Sequence, residues 1–259
     1  MNWWIFLSTY CGNMEAERKG GGGLSMNEPY VHMLFAGKVQ TVGTDDTQDR
    51  MKRTWQTGMF KKPVLKPLFL TKTGLLDDEV ADTKNHGGPD KALFAYPIAH
   101  YTYFKEMEDL PMEYGGMGEN LAVLEMDELS VCIGDRYKYG EAIIEVSQPR
   151  QPCWKPARRY QRKDLALKIQ ESGKTGWYFR VIEEGLVSAE CDLHLLERLH
   201  PEWSIAACND VMHVQKGNLP LVDELVHCES LAESWKKSLR KRLSGKESSI
   251  EPRIYGPNL

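Results

Sequence analysis

Three prolines within eight residues, Pro149, Pro152 and Pro156, restrict this chain more than any other stretch of it. Each fixes its own φ and pushes the residue before it out of the helical region. The run from Ser147 to Tyr160 is therefore predicted to be a stiff, extended loop. It carries one cysteine, Cys153, between Pro152 and Trp154, with Arg150, Lys155, Arg158 and Arg159 around it. Positive charge near a thiol favours the thiolate, which is a nucleophile, a soft-metal ligand and a possible sulfur carrier. A lone cysteine beside a tryptophan is more simply a small buried apolar group. The density of prolines and guanidinium groups sets the reactive reading beside that plain one.

The chain has 259 residues, enough for one large domain or a medium domain with a small appendix, and enough to bury a core. Its 33 basic and 37 acidic residues leave a net charge of -4, so no general attraction to nucleic acid is expected. Six cysteines occur without Cys-x-x-Cys spacing, and no His pair completes a zinc site. They read as reduced thiols. The apolar run Trp3–Leu7 is too short to span a bilayer and lacks a basic start, so the expected location is the cytoplasm, away from membranes. Residues 1–26, with Gly20–Gly23, read as a flexible extension.

From residue 27 to 190 the chain reads as short strands. Tyr30–Val42, Val64–Thr71, Ala92–Tyr96, Leu121–Leu124, Val131–Ile133, Arg136–Tyr139, Ala142–Val146, Gly176–Val181 and Leu186–Val187 are each bounded by glycine or polar turns. Residues 43–62 look polar and irregular, and Gly74–Thr83 is expected to turn its acidic residues to water. Pro97 fits the first position of a helix whose Ile98, Tyr101 and Phe104 share one face, and Asp164 precedes a second short helix. Two polar loops stand out. Lys84–Lys91 joins His86, Gly87, Gly88, Asp90 and Lys91, so backbone amides, a base and a cation fall in one place. Gly115–Asn120 ends in Glu119 and Asn120, candidate pocket residues if they are not merely turn caps. Its spacing matches neither a phosphate-binding loop nor a dinucleotide fingerprint. Arg180, among aromatic and apolar neighbours, either leaves for solvent or points into a polar pocket.

After about Leu193 helical patterns take over, giving three short helices over 191–243 and a polar tail over 244–259. Ser230 and Glu233 have capping-box spacing. Lys236, Lys237, Arg240, Lys241 and Arg242 read as the solvated face of the last helix.

The series His86-Gly87-Gly88-Pro89-Asp90-Lys91-Ala92, Gly118-Glu119-Asn120-Leu121, Ile133-Gly134-Asp135 and Ser147-Gln148-Pro149-Arg150-Gln151-Pro152-Cys153, in that order, resembles the MOSC domain, named for the C-terminal domain of molybdenum cofactor sulfurase. Gly176–Val181 and the helices after it resemble the YiiM-like branch, which adds a three-helix domain. The resemblance implies a mainly β fold, a barrel with peripheral helices, followed by a small all-α domain. It implies that Cys153 ligates molybdenum or carries sulfur, and that the activity is reduction of N-hydroxylated compounds such as hydroxylaminopurine base analogues, a detoxification. The implied cofactor is the molybdenum cofactor, an anionic pterin; pyridoxal phosphate binding is a further family-level association. Arg150, Arg158, Arg180 and Lys91 have the charge to hold phosphate, and the glycine loops have free N–H donors. Electrons would come from a separate donor protein, and a homodimer is a possible assembly. A second reading makes Cys153 the carrier of a persulfide handed to a partner.

Overall fold

A computed structural model describes residues 28–247 and 249–259. The expected 1–26 extension lies outside the described residues. The strands are β1 (Tyr30–Ala36), β2 (Gln40–Val42), β3 (Trp55–Thr57), β4 (Lys62–Pro63), β5 (Leu68–Thr71), β6 (Gly74–Leu75), β7 (Leu93–Pro97), β8 (Leu121–Leu124), β9 (Arg136–Tyr139), β10 (Ala142–Pro149), β11 (Trp177–Glu183), β12 (Gly185–Val187) and β13 (Cys191–Glu197). Seven of them, in the order β13-β9-β10-β11-β7-β8-β1, form a sheet that β13 and β1 close into a barrel, with β4 added on β1. Neighbours are antiparallel except β7 and β8, which are parallel with Ala95 opposite Leu121. One-turn helix α1 (Thr83–His86) precedes β7; a parallel pair needs a crossover, and α2 (Ala99–Glu108) supplies it. Pro97, expected to open that helix, is instead the last residue of β7. Val131–Ile133 forms no strand; Cys132 makes a single bridge to Ser204.

The central strands bury both faces. On β11, Trp177 and Phe179 point to the barrel core while Tyr178 joins a second cluster with Phe94, Tyr96, Tyr101, Phe104, Leu165 and Ile169. That second cluster lies under α2, α3 (Trp154–Arg159) and α4 (Leu165–Ser172). Double-sided burial explains why Trp177, Tyr178 and Phe179 are apolar or aromatic in succession on this strand.

The last strand expected from the sequence was Leu186–Val187, with the helical domain beginning at 191. The structure corrects this. Cys191-Asp192-Leu193-His194-Leu195 alternates apolar and polar and forms β13, pairing Leu193 with Tyr139 and Cys191 with Val31. The following Leu196-Glu197-Arg198-Leu199 hid this period of two behind a helical one. Three helices follow, α5 (Ile205–His213), α6 (Leu219–His227) and α7 (Glu233–Leu243). Their apolar faces join the barrel core through Ile205, Cys208, Leu225, Trp235 and Leu239. The expected capping box is absent, because Ala232 occupies the cap position of α7 without a side-chain bond. Arg242 is not on the solvated face: it is buried and donates to the carbonyls of Val211 (3.0 Å) and Met212 (2.9 Å), tying α7 to the end of α5.

The polar tail is also corrected. Segment 249–259 forms α8 (Glu251–Ile254) and a short 3-10 turn over Gly256–Asn258. Ile254 and Asn258 are buried, and the segment packs on α3.

Trp235 joins the helical domain to the end of β10 by donating its indole N–H to the Pro149 carbonyl at 3.1 Å. Trp235→Phe keeps most of the packing but leaves that carbonyl only the long 3.4 Å contact from Gln148 Nε2, and is expected to cost about 0.5–1.5 kcal/mol, read from the urea midpoint at unchanged slope. A midpoint equal to that of the parent would show that the bond contributes nothing.

Candidate active site

β10 ends at Pro149, and the next four residues lead into α3. Cys153 is the cap residue of that helix, extended at φ −130°, ψ 171°, so the expected extended loop is short and the chain turns helical at Trp154. Beside it opens a cleft whose empty space, open solvent at the mouth included, is about 740 Å³. Its walls come from five places. Arg150, Cys153 and Lys155 follow β10, His86 and Lys91 flank the two-glycine turn, and Phe94 and Tyr178 sit on β7 and β11. Met117, Gly118 and Asn120 come from the second glycine loop, and Lys61 and Asp78 from the segments around β4 and β6.

The cysteine is only 6% exposed. Its Sγ lies 3.7 Å from His86 Nε2. Burial alone would raise the thiol pKa, but the hydrogen bond and charge of His86, the Arg150 guanidinium and the Lys155 backbone N–H outweigh it and bring the thiol down to about 6. At neutral pH it is largely thiolate. Three other buried thiols behave oppositely: burial pushes Cys132, Cys208 and Cys228 up. Arg150 is itself 4% exposed and lies over the Phe94 ring at 4.9 Å, yet its Nη1 finds no hydrogen-bond partner. A buried guanidinium nitrogen without an acceptor is expensive, so it is a position built for an anionic or carbonyl oxygen.

Two further cations line the cleft. Lys91 donates to the Asn85 carbonyl at 2.6 Å, and burial lowers its pKa against the opposing pull of Asp90 and Asp82. Lys155 is buried with its ammonium 4.0 Å from Asp82. Lys61, buried against the Asp78 carboxylate, is already neutralised. The Asp78 side chain also accepts from Asn120 Nδ2 at 2.9 Å, and Asn120 Oδ1 takes the Phe94 N–H at 3.1 Å, so Asn120 pins the cleft wall to β7.

The structure gathers His86, Lys91, Asn120, Arg150 and Cys153 around this cleft, and sends the other sequence candidates elsewhere. Glu119 is fully buried and accepts from the Gly115 (2.7 Å) and Met117 (3.1 Å) amides and from the Tyr101 hydroxyl; it folds the glycine loop and does not face the cleft. Arg158 donates to the Arg50 carbonyl (2.8 Å) and Asn258 Oδ1 (2.9 Å) and packs against Trp55 and Trp154. Arg180 is held between Asp90 (2.9 Å) and Glu145 (2.8 Å), so neither residue of the Asp90–Arg180 pair serves the cleft. Gly87 and Gly88 shape the turn, Gly88 at φ +97°, but line none of the cleft. Conversely, Asp78 was expected to face water, and Lys61 lay in a stretch read as irregular. Both are polar groups whose burial depends on strands far away in sequence. Tyr178 and Phe94 were visible only as strand residues.

This is a β-barrel with a buried thiol beside a histidine at one strand's exit and a small helical domain behind it, which is the architecture of the MOSC-domain proteins. The family model described as the MOSC domain matches residues 82–193, and that described as the YiiM-like 3-alpha helix domain matches 203–246. YflK of Bacillus subtilis strain 168 is 39% identical over 212 residues, covering 82% of this chain and 93% of its own. The crystal structure of YiiM from Geobacillus stearothermophilus superposes with a TM-score of 0.70 at 34% identity, over 83% of this chain and 99% of that one. A protein of Gibberella moniliformis strain M3125 / FGSC 7600 named Reductase is 35% identical over 163 residues, which cover 61% of this chain and 29% of that protein. The chain belongs to the MOSC family, in the branch with the YiiM-like helical domain. Among the described residues no helix is long and apolar enough to cross a membrane.

The low thiol pKa is measurable. Iodoacetamide labelling of Cys153, followed by mass spectrometry of its peptide, is expected to titrate near 6, and His86→Leu to move the midpoint up by about one unit or more, because the thiolate loses the hydrogen bond and the electrostatic stabilisation that His86 supplies. A midpoint near the ordinary thiol value in the parent would refute the electrostatic account.

Proposed function

We propose that this protein is an oxidoreductase that binds the molybdenum cofactor in the Cys153 cleft and reduces N-hydroxylated compounds with electrons from a separate donor protein. The observation that carries the reading is the pairing of a thiolate with an unsatisfied, buried guanidinium nitrogen in one cleft. MOSC membership and a relative named Reductase support the direction.

The residues fit such a group. Among the described residues no three His, Cys, Asp or Glu side chains gather to hold a metal ion by themselves. A molybdenum pterin brings its own sulfur donors, so the protein needs to add only one soft ligand, the Cys153 thiolate. When bound, the cofactor would supply the two-electron chemistry. Arg150 Nη1, Lys91 and Lys155 would balance its phosphate and pterin oxygens. Phe94 and Tyr178, buried side by side at 5.3 Å between ring centres, offer an apolar wall. Burial pushes the Tyr178 hydroxyl up to about 12, so it stays neutral and can donate. His86 Nε2, within reach of the sulfur, can hold a proton at the cleft floor.

Protein purified from a cofactor-producing host should contain molybdenum, and Cys153→Ala should lose it about tenfold or more, with reduction of a hydroxylaminopurine falling in parallel. Arg150→Leu should keep the thiol yet weaken retention. Equal molybdenum in the parent and Cys153→Ala would sink the reading. A labile extra sulfur on Cys153 with no pterin would replace it with sulfur carriage.

A further inference from the structure

The two carbonyls on either side of Cys153 are both taken by one remote segment. Arg253, on α8, donates Nη1 to the carbonyl of Pro152 and Nη2 to Gln170 Oε1 at 2.6 Å. Asn258 donates Nδ2 to the carbonyl of Trp154 at 3.2 Å, while its Oδ1 accepts from Arg158 Nε at 2.9 Å. Between them Gly256, at φ +49°, lies flat on the Trp154 indole, so closely that a Cβ there would fall 2.3 Å from Cδ1. Ile254 is 1% exposed and anchors the turn. The matched family models end at residue 246, so nothing in them accounts for this arrangement.

We propose that residues 251–259 form a clamp on the cleft's thiol, with Arg253 and Asn258 as positioning residues: Arg253 holds the peptide group that leads into Cys153, Asn258 holds the carbonyl of the next residue, Trp154, and together they keep the sulfur beside His86. A loop between a strand and a one-turn helix has few hydrogen bonds of its own. Without an outside partner the Pro152 carbonyl would turn to water and take the sulfur with it, and the first turn of α3 at Trp154 would lose its tie to the C-terminal segment. Both clamp bonds reach more than one hundred residues along the chain, 101 from Arg253 to Pro152 and 104 from Asn258 to Trp154. Arg158, set aside above as a cleft residue, gains a use here: it holds Asn258 in place. Arg253 also feels the thiolate directly. Burial lowers its pKa to about 10, the negative charge of Cys153 opposes that, and Arg150 adds to it. It remains a cation at neutral pH.

The clamp takes Cys153 as the working group of the cleft, as in the function proposed above, but its test needs neither molybdenum nor substrate. Metal-free protein is treated with iodoacetamide at a pH of about 9, where even an ordinary thiol is largely ionised, so that the rate reads access and position rather than protonation. Arg253→Met is expected to speed labelling of Cys153 by about tenfold, the change in local opening expected on loss of one charge-assisted hydrogen bond. Asn258→Ala should speed it severalfold, and decides the matter alone if Arg253→Met does not fold. Arg253→Lys, which retains a donor for the Pro152 carbonyl, should stay near the parent. Amide exchange in β7 and β10 should not change. Parent-like labelling in the Met and Ala variants overturns the clamp, as does labelling that rises only together with exchange throughout β10. Either result leaves the molybdenum reading standing if Cys153→Ala still empties the protein of metal.

Discussion

A sheet can place a reactive group only if its own edges are satisfied, and here that depends on β13 pairing with β1. The pairing converts a run of seven strands into a closed barrel. It fixes β9 through Leu193 and Tyr139, and β9 in turn fixes β10. The exit of β10, where Arg150 and Cys153 sit, is then held from one side by β11 and from the other by the helical domain. Ala232 donates to the Ser147 carbonyl at 2.9 Å, and Ser234 to Gln148 Oε1 at 2.8 Å. The small domain is thus a buttress for the strand that delivers the cleft.

The cleft's electrostatics follow from which charges are spent elsewhere. The arginines around Cys153 in sequence do not act together. Arg158 spends its donors on Asn258 Oδ1 and the Arg50 carbonyl, and Arg159 on the carbonyls of Met59 (2.7 Å) and Gly115 (3.1 Å). Arg180 and Arg136 share the buried Glu145. Of these arginines, among the described residues, Arg150 alone keeps an unspent donor against the cleft, and its partner in lowering the thiol pKa is not an arginine but His86, from a turn 67 residues before Cys153. A buried thiolate is costly, and its persistence here reflects first the hydrogen bond and electrostatic pull of His86, then the Arg150 charge and the Lys155 backbone N–H.

Legibility from sequence tracked how local each signal was. The hairpin at Gly140, the cap at Gly173 (φ +69°) and α2 ending at Asp109 (φ +49°) are short-range features, and their elements lie close to where the residue pattern put them. Misreadings arose where partner choice decided. β13 hid inside an apolar run of mixed period, Arg242 and Asp78 looked like surface charges but are buried with partners, and segment 249–259 looked like a solvated tail although it closes over α3. Charged residues carry no mark of whether a distant carbonyl awaits them. Glu119 was misassigned for the same reason: a carboxylate in a glycine loop looks alike whether it caps its own loop or faces a ligand.

By itself the residue order determined the family, the mainly β character with a helical appendix, and the special standing of Cys153, because motif spacing, glycine turns and proline restriction act over a few residues. Only the tertiary structure decided that His86 and Arg150, not Arg158 or Arg180, accompany the sulfur, and that Arg253 and Asn258 hold its backbone. Those contacts form between groups up to about a hundred residues apart. Their geometry exists only once the barrel has closed and each charge has found, or been denied, its partner.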